Sequence, residues 1–225
     1  MIAENLAEVR DRISQAIQKS GRNPDSVRLV AVSKHMGIAQ IKEARIAGAV
    51  IFGENKIQDA FPKVEQLEAE GFSWHFIGHL QKNKVKFLGK HFDLIHSVDN
   101  LELAVKISNK CHSENWVQKV LLQVNVSGEA AKFGLKPSDL EKQIMSFSQL
   151  QGIRVEGLMT IPPNHPDPEN SRMHFSRLRE LRDQYEKQTG LSLKELSIGM
   201  TNDFEVAIEE GATLVRVGTA IFGPR

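Results

Sequence analysis

A lysine at the end of a buried strand is a poor structural choice and a useful chemical one. Lys34 closes the run Val27-Arg28-Leu29-Val30-Ala31-Val32-Ser33-Lys34, whose β-branched content reads as a strand. The stem of such a lysine is buried while its amine emerges at the strand mouth. Desolvation there favours the neutral amine, whose lone pair can attack a carbonyl. Two further segments carry complementary chemistry, Ser197-Ile198-Gly199-Met200-Thr201 and Arg216-Val217-Gly218-Thr219. Gly218 lets a backbone approach an anion closely, and the chain then enters a short helical stretch at Thr219–Phe222. Free N–H groups at such a turn attract phosphate. Ser197 and Thr219 add hydroxyl donors, and Arg216 can face the ring of a bound ligand. An amine on one side and an anion cradle on the other suit a phosphate ester that also bears an aldehyde. The alternative is that both glycines serve only as turns.

These residues need a scaffold that brings them together. Strand patterns fall at 27–33, 49–52, 73–77, 92–97, 117–126, 153–159, 193–198 and 213–217, with helical patterns at 38–47, 55–70, 80–89, 100–111, 137–149, 168–188 and 202–210. Eight strands alternating with helices predict a parallel sheet closed as a single (β/α)₈ TIM barrel over residues 1–225. A doubly wound open sheet would use the same alternation. Against it, no Gly-x-Gly-x-x-Gly opens a helix after the first strand, where Val32-Ser33-Lys34-His35-Met36-Gly37 stands.

In a barrel, functional groups gather where strands end. Besides Lys34 and the last two segments, Gly53-Glu54-Asn55, Gly78-His79 and Met159-Thr160 occupy such positions. Gly48 and Gly211 follow helical runs and suit a left-handed C-terminal turn. Asn202 and Glu205 have the spacing of a capping box. Four prolines within residues 161–168 predict a stiff, non-helical segment, either a wall of the site or a surface loop. An extra N-terminal helix is expected, with Leu6, Val9, Ile13, Ala16 and Ile17 on one face. Its acidic residues Glu4, Glu8 and Asp11 argue against a signal or transit peptide.

The chain resembles a known family, the pyridoxal 5′-phosphate (PLP) homeostasis proteins (YggS/PROSC family). The resemblance is carried by Leu29–Lys34, Phe52–Gln58, Trp74–Lys84, Asn125–Glu129 with Lys132 and Gly134, Gly157–Thr160, Leu196–Asp203 and Val215–Gly223. It therefore runs almost from end to end. It implies a fold-type III PLP barrel like the N-terminal domain of alanine racemase, without that enzyme's C-terminal β-domain. By that resemblance Lys34 carries PLP as a covalent aldimine, a Schiff base. Ser197, Gly218 and Thr219 hold the phosphate, Arg216 faces the pyridine nitrogen, and Asn55, His79 and Met159 line the pocket. One departure is Thr201, where the family often has serine; a hydroxyl is retained.

Two functions are compatible with that site. One is a non-enzymatic protein that stores, buffers or delivers PLP, with PLP-dependent apoenzymes as possible recipients. The other is a racemase-like PLP enzyme. An arginine at the pyridine nitrogen keeps its own proton and leaves the ring a weaker electron sink. Alanine racemase also takes a second base, a tyrosine, from its β-domain, whereas the sole tyrosine here, Tyr185, falls in the charged helix 177–187. Both features favour the carrier. A third reading keeps the phosphate site for another metabolite.

Other signals are discounted. A net charge of +1 gives no field directed at nucleic acid or an anionic membrane. Lys82, Lys86 and Lys90 read as a solvated helix stripe. His75, His79, His91 and His96 lack metal-ligand spacing. Cys111 is the sole cysteine, so no intramolecular disulfide can form. Asp93 and Asp203 show no carboxylate partner at useful spacing. No apolar run approaches membrane-spanning length. A cytoplasmic monomer is the expectation.

Overall fold

The computed structural model describes residues 1–67 and 70–224. Eight parallel strands close on themselves in chain order: β1 (Arg28–Val32), β2 (Ile51–Glu54), β3 (Ser73–Phe76), β4 (Leu94–Val98), β5 (Gln118–Gln123), β6 (Ile153–Met159), β7 (Glu195–Ser197) and β8 (Leu214–Val217). Closure is made by β1 on β8, with Val30 beside Arg216 and Ala31 beside Val217. The open-sheet alternative is therefore excluded.

Period-two alternation sorts each strand into two apolar sets. Val30, Ile51, Leu94, Leu121, Met159 and Leu214 form a small cluster inside the barrel. Ala31, Phe52, Trp74, Ile95, Leu122, Leu158, Leu196 and Val215 belong to the larger core between strands and helices. Around them lie α1 (Ile2–Lys19), α2 (Ile38–Ile46), α3 (Ile57–Leu67), α4 (Leu101–Ser113), α5 (Pro137–Ser148), α6 (Arg172–Thr189), α7 (Phe204–Glu209) and the single turn α8 (Thr219–Phe222).

The helix α1 buries the expected stripe of Leu6, Val9, Ile13, Ala16 and Ile17. It packs against α7, α8 and α2, the place an eighth outer helix would occupy. With only four residues, α8 cannot cover the β8–β1 seam, and α1 covers it instead. The joint is polar at its edges: Arg12 Nε donates to Glu205 Oε1 at 2.7 Å, and Asn5 Nδ2 donates to the Ile221 carbonyl at 3.0 Å.

Three local expectations need correction. The stretch 80–89 forms a six-residue 3₁₀ turn, Lys82–Phe87, rather than an α-helix. Three lysines and the following Gly89 leave too little apolar face to fund a full helix, and 3₁₀ geometry is common in such short pieces. Lys82, Lys86 and Lys90 accordingly form no i,i+4 stripe: Lys82 pairs with Glu102, and Lys86 sits 4.9 Å from the Phe87 ring centre. The Asn202/Glu205 capping box is also absent. The helix starts one residue later with Asp203 at its N-cap, and Glu205 is committed to Arg12. Lastly, β1 ends at Val32, so Lys34 stands in a turn just beyond the strand. Gly48 and Gly211 do adopt left-handed conformations, with φ of 99° and 101°.

Candidate functional site

A cavity of about 440 Å³ opens at the C-terminal mouth of the barrel, and Lys34, Asn55, His79, Arg216, Gly218 and Thr219 all line it. Val32, the last residue of β1, and Lys34, in the turn beyond it, both line the cavity, while the intervening Ser33 does not. Ser33 is held at every polar atom. Its N–H donates to the Gly53 carbonyl at 3.0 Å, and its carbonyl accepts from Met36 N–H at 2.9 Å and from Lys63 Nζ at 3.0 Å. Its hydroxyl donates to Glu54 Oε1 at 2.6 Å, and Lys63 Nζ donates to that same oxygen at 2.8 Å. Glu54 is fully buried, so this ion pair works in a low dielectric and is not a screened surface contact. It clamps the peptide that leads into Lys34.

Beside Lys34 lies the turn after β8, where Gly218 and Thr219 line the cavity. Gly218 faces Val32, and a Cβ there would lie 3.3 Å from the Val32 Cβ. Its N–H points to Thr201 Oγ1 at 3.4 Å. Thr201 lines the cavity, so the hydroxyl presented by the loop after β7 is Thr201. Ser197 lies deeper: it is fully buried, does not line the cavity, and its hydroxyl is occupied from two sides. Met159 is likewise fully buried, in the apolar cluster inside the barrel. The resemblance implied that Ser197 holds the phosphate and that Met159 lines the pocket; both side chains lie beneath the cavity surface.

Arg216 forms the floor. Nη1 donates to the Ser197 carbonyl at 2.7 Å and to the Ser197 hydroxyl, and Nη2 donates to the Thr160 carbonyl at 3.0 Å. Burial pushes its pKa down to about 10, and the nearby Asp203 opposes that shift. It therefore stays cationic at neutral pH. The polar chain continues downward. His96 Nδ1 is 2.8 Å from Ser197 Oγ, and His96 Nε2 is 2.9 Å from His75 Nδ1. Arg216 can only donate, so the serine hydroxyl is free to donate to His96 Nδ1. His96 Nε2–H then donates to His75. Both rings are neutral: burial holds His96 well below the usual histidine range and brings His75 down to about 3. Sequence spacing could not reveal this pair, because its members come from neighbouring strands.

The far wall is looser. A Cβ on Gly78 would come within 2.1 Å of the Asn55 carbonyl oxygen, so only glycine lets the loops after β2 and β3 pack this closely. Asn55 Oδ1 is buried and has no hydrogen-bond partner among the described residues. His79 Nδ1 lies 3.2 Å from Asp99 Oδ2, and the imidazole stacks on Phe133 with centroids 3.8 Å apart and planes 14° apart. Gln123 Nε2 donates to the Phe133 carbonyl at 3.1 Å. From the proline-rich segment, Ile161, Pro163, Asn164 and His165 line the mouth, so that segment is a wall of the site. Gln123, Phe133 and Asp203 line the cavity without having been assigned to it from the sequence, whereas Thr201 stands in the segment after β7 that the sequence did single out. Gln123 ends β5, and Phe133 and Asp203 stand in the segments that follow β5 and β7.

The discounted residues have other duties. Cys111 is buried, and desolvation raises its thiol pKa to about 12, which leaves it unreactive. Tyr185 is buried in α6 with its hydroxyl 3.3 Å from the Pro137 carbonyl. Asp93 ties β3 to the chain entering β4 by accepting from Ser73 Oγ at 2.6 Å. Asp203 accepts from Ser171 Oγ at 2.8 Å and Met200 N–H at 2.7 Å. Among the described residues no cluster of histidine, cysteine and carboxylate has metal-binding geometry, and no helix is long and apolar enough to cross a membrane.

A parallel barrel with a lysine after β1, an arginine on β8 and a glycine-threonine turn beyond it defines a class, and residues 4–225 match the family model described as "Alanine racemase, N-terminal domain". Within that class, the chain belongs to the family of pyridoxal phosphate homeostasis proteins. It is 44% identical to the protein of that name from Aquifex aeolicus, over 99% of this chain and 97% of that one. It is 39% identical to the Escherichia coli K12 protein of the same name, over 100% and 97%. The structure of PipY from Synechococcus elongatus with PLP bound superposes with a TM-score of 0.87 at 37% identity, covering 99% of this chain and all of that one. Alanine racemase from Clostridium difficile shares the fold at a TM-score of 0.76 and 14% identity, over 99% of this chain and 60% of that one.

Proposed function

We propose that this chain binds PLP, holds it as a Schiff base on Lys34, and serves in the cytoplasm as a non-enzymatic store or donor of the cofactor. The observation that carries the reading is the meeting of Lys34 with Arg216, Gly218 and Thr219 in one cavity across the β8–β1 seam. The donor set fits the ligand. Gly218 permits close approach of an anion, and Thr219 and Thr201 supply hydroxyls to the phosphate. The buried Asn55 Oδ1 has unused acceptor capacity. Arg216 would present its remaining edge to the pyridine nitrogen, while Ser197 acts from beneath by fixing that guanidinium. Met159 acts as apolar support under the floor. His79 bounds the far side. When bound, PLP would supply an electron sink and an aldehyde carbon that exchanges amines.

Two observations support the carrier reading over the racemase-like one. A guanidinium that remains protonated does not protonate the ring nitrogen. Tyr185, which could have been a second base, is buried in α6 and does not line the cavity. The proposed partners are PLP itself and PLP-dependent apoenzymes, with the chain acting as a monomer. The test is borohydride reduction of the PLP-loaded protein followed by peptide mass spectrometry. A pyridoxyl mass on Lys34 is expected; a protein that takes up no PLP, or an adduct on a different lysine, refutes the site.

A further inference from the structure

The cavity wall also carries an imidazole beside a carboxylate. Three successive strand ends contribute to it: His79 after β3, Asp99 after β4, and Phe133 in the segment after β5. Asp99 has only 6% of its side chain exposed, and its two oxygens are divided. Oδ1 accepts from Asn100 Nδ2 at 2.7 Å, and Oδ2 lies 3.2 Å from His79 Nδ1. A carboxylate on Nδ1 favours the proton there and leaves Nε2 with its lone pair. Phe133 stacks on one face of the ring with centroids 3.8 Å apart, and Gln123 Nε2 holds the Phe133 backbone through its carbonyl. The structure thus sets a carboxylate within ion-pair distance of Nδ1 on a histidine that lines the cavity.

We infer that His79 is the general base for amine exchange at Lys34, that Asp99 and Phe133 position it, and that the outer half of the cavity admits a small primary amine. The inference rests on the proposed PLP site. Release of the cofactor by amine exchange meets a protonation barrier. An alkyl amine with a pKa of about 10.4 is neutral in only about one molecule in 2,500 at pH 7. The step balances without an added reagent. His79 Nε2 takes a proton from the incoming ammonium. The freed lone pair forms a C–N bond at the carbon held by Lys34, and the Lys34 C–N bond breaks. The hydrogens that the incoming nitrogen sheds as its C=N bond forms pass to the lysine nitrogen, and the departing lysine amine then receives the proton that His79 took up, so the exchange consumes no net proton. Besides Lys34 and the floor residue Arg216, no lysine or arginine lines the described cavity. The subsite therefore offers no separate cation for a carboxylate on the amine.

The test compares two nucleophiles on the PLP-loaded protein at pH 7, followed by absorbance. Propylamine must lose a proton before it attacks, whereas methoxyamine is already neutral. In His79→Gln the ratio of propylamine to methoxyamine rates should fall about 100-fold, the lower end of what a general base supplies. Asp99→Asn should lower it in the same direction by a smaller factor. Because the ratio is taken within each variant, a change in PLP affinity cancels. A ratio unchanged in His79→Gln overturns the inference while leaving the PLP site intact, provided borohydride still labels Lys34. The second readout needs no cofactor. Long-range ¹H–¹⁵N NMR of the unloaded protein should find the His79 proton on Nδ1, and Asp99→Asn should move it. A proton resident on Nε2 in the unsubstituted protein would also overturn the inference.

Discussion

Arg216 and His79 face one cavity from different walls, and they are held in different ways. Arg216 is 4% exposed and spends three hydrogen bonds on backbone and serine oxygens. His79 has 34% of its side chain exposed and is held by one carboxylate contact and one ring. A charge in a low-dielectric floor must be satisfied on nearly every donor, or burial would destabilise the fold. A group at the rim can be positioned with fewer contacts because water completes its solvation. The floor is suited to retaining a ligand and the rim to letting something approach it. The same contrast separates the clamped peptide at Ser33 from the Phe133 ring, which is 56% exposed.

Variants on the two sides should therefore differ in size of effect. The largest belongs to Lys34→Ala, which should abolish the pyridoxyl adduct and the visible absorbance of the loaded protein, as read by mass spectrometry and spectroscopy. Next comes the clamp. Lys63→Met strands the buried Glu54 carboxylate and should cost about 3–5 kcal/mol in urea unfolding. Adding Glu54→Gln should recover most of it, and failure to recover would mean that the stem of Lys63, not its charge, is what matters. Gly78→Ala drives a Cβ into the Asn55 carbonyl and should destabilise by roughly 1–3 kcal/mol while weakening PLP uptake.

The histidine pair beneath the floor gives a pH signature. Both imidazoles have folded pKa values below the ordinary 6.5, with His75 at about 3. The unfolded chain therefore binds more protons once pH drops below that ordinary value. Stability from the neutral pair is complete above the unfolded pKa and is lost as pH falls, through about 3 for His75. Each histidine steepens the loss by up to about 1.4 kcal/mol per pH unit. His75→Gln should flatten acid unfolding followed by circular dichroism; an unchanged slope would mean the ring is protonated in the fold. The smallest effect is expected at the rim. Phe133→Ala should alter stability by only about 0.5 kcal/mol, because half of that ring already faces water. A larger loss in a thermal melt would erase the proposed contrast between floor and rim.

Much of the molecule was legible before any coordinates. The alternation of β-branched runs with amphipathic stretches suffices for the barrel, because strands buried on both faces and helices buried on one leave different periodicities. The left-handed turns at Gly48 and Gly211 and the short turn after Gly218 follow from local rules. The 3₁₀ turn at Lys82–Phe87 and the missing Asn202 cap were misread because a few residues of periodicity do not separate competing local geometries.

The sequence alone determined which residues stand at strand ends, and hence that Lys34 and the Gly218-Thr219 turn would share a mouth, since strand direction and alternation are local properties. Tertiary structure decided depth and partnership. It sank Ser197 and Met159 below the wall, raised Thr201 into it, joined His75 to His96, and set Asp99 behind His79. Those outcomes depend on how far each strand is staggered against its neighbour and on which side chains fill the barrel first. Such distances are set by the closed sheet as a whole, and no short stretch of sequence encodes them.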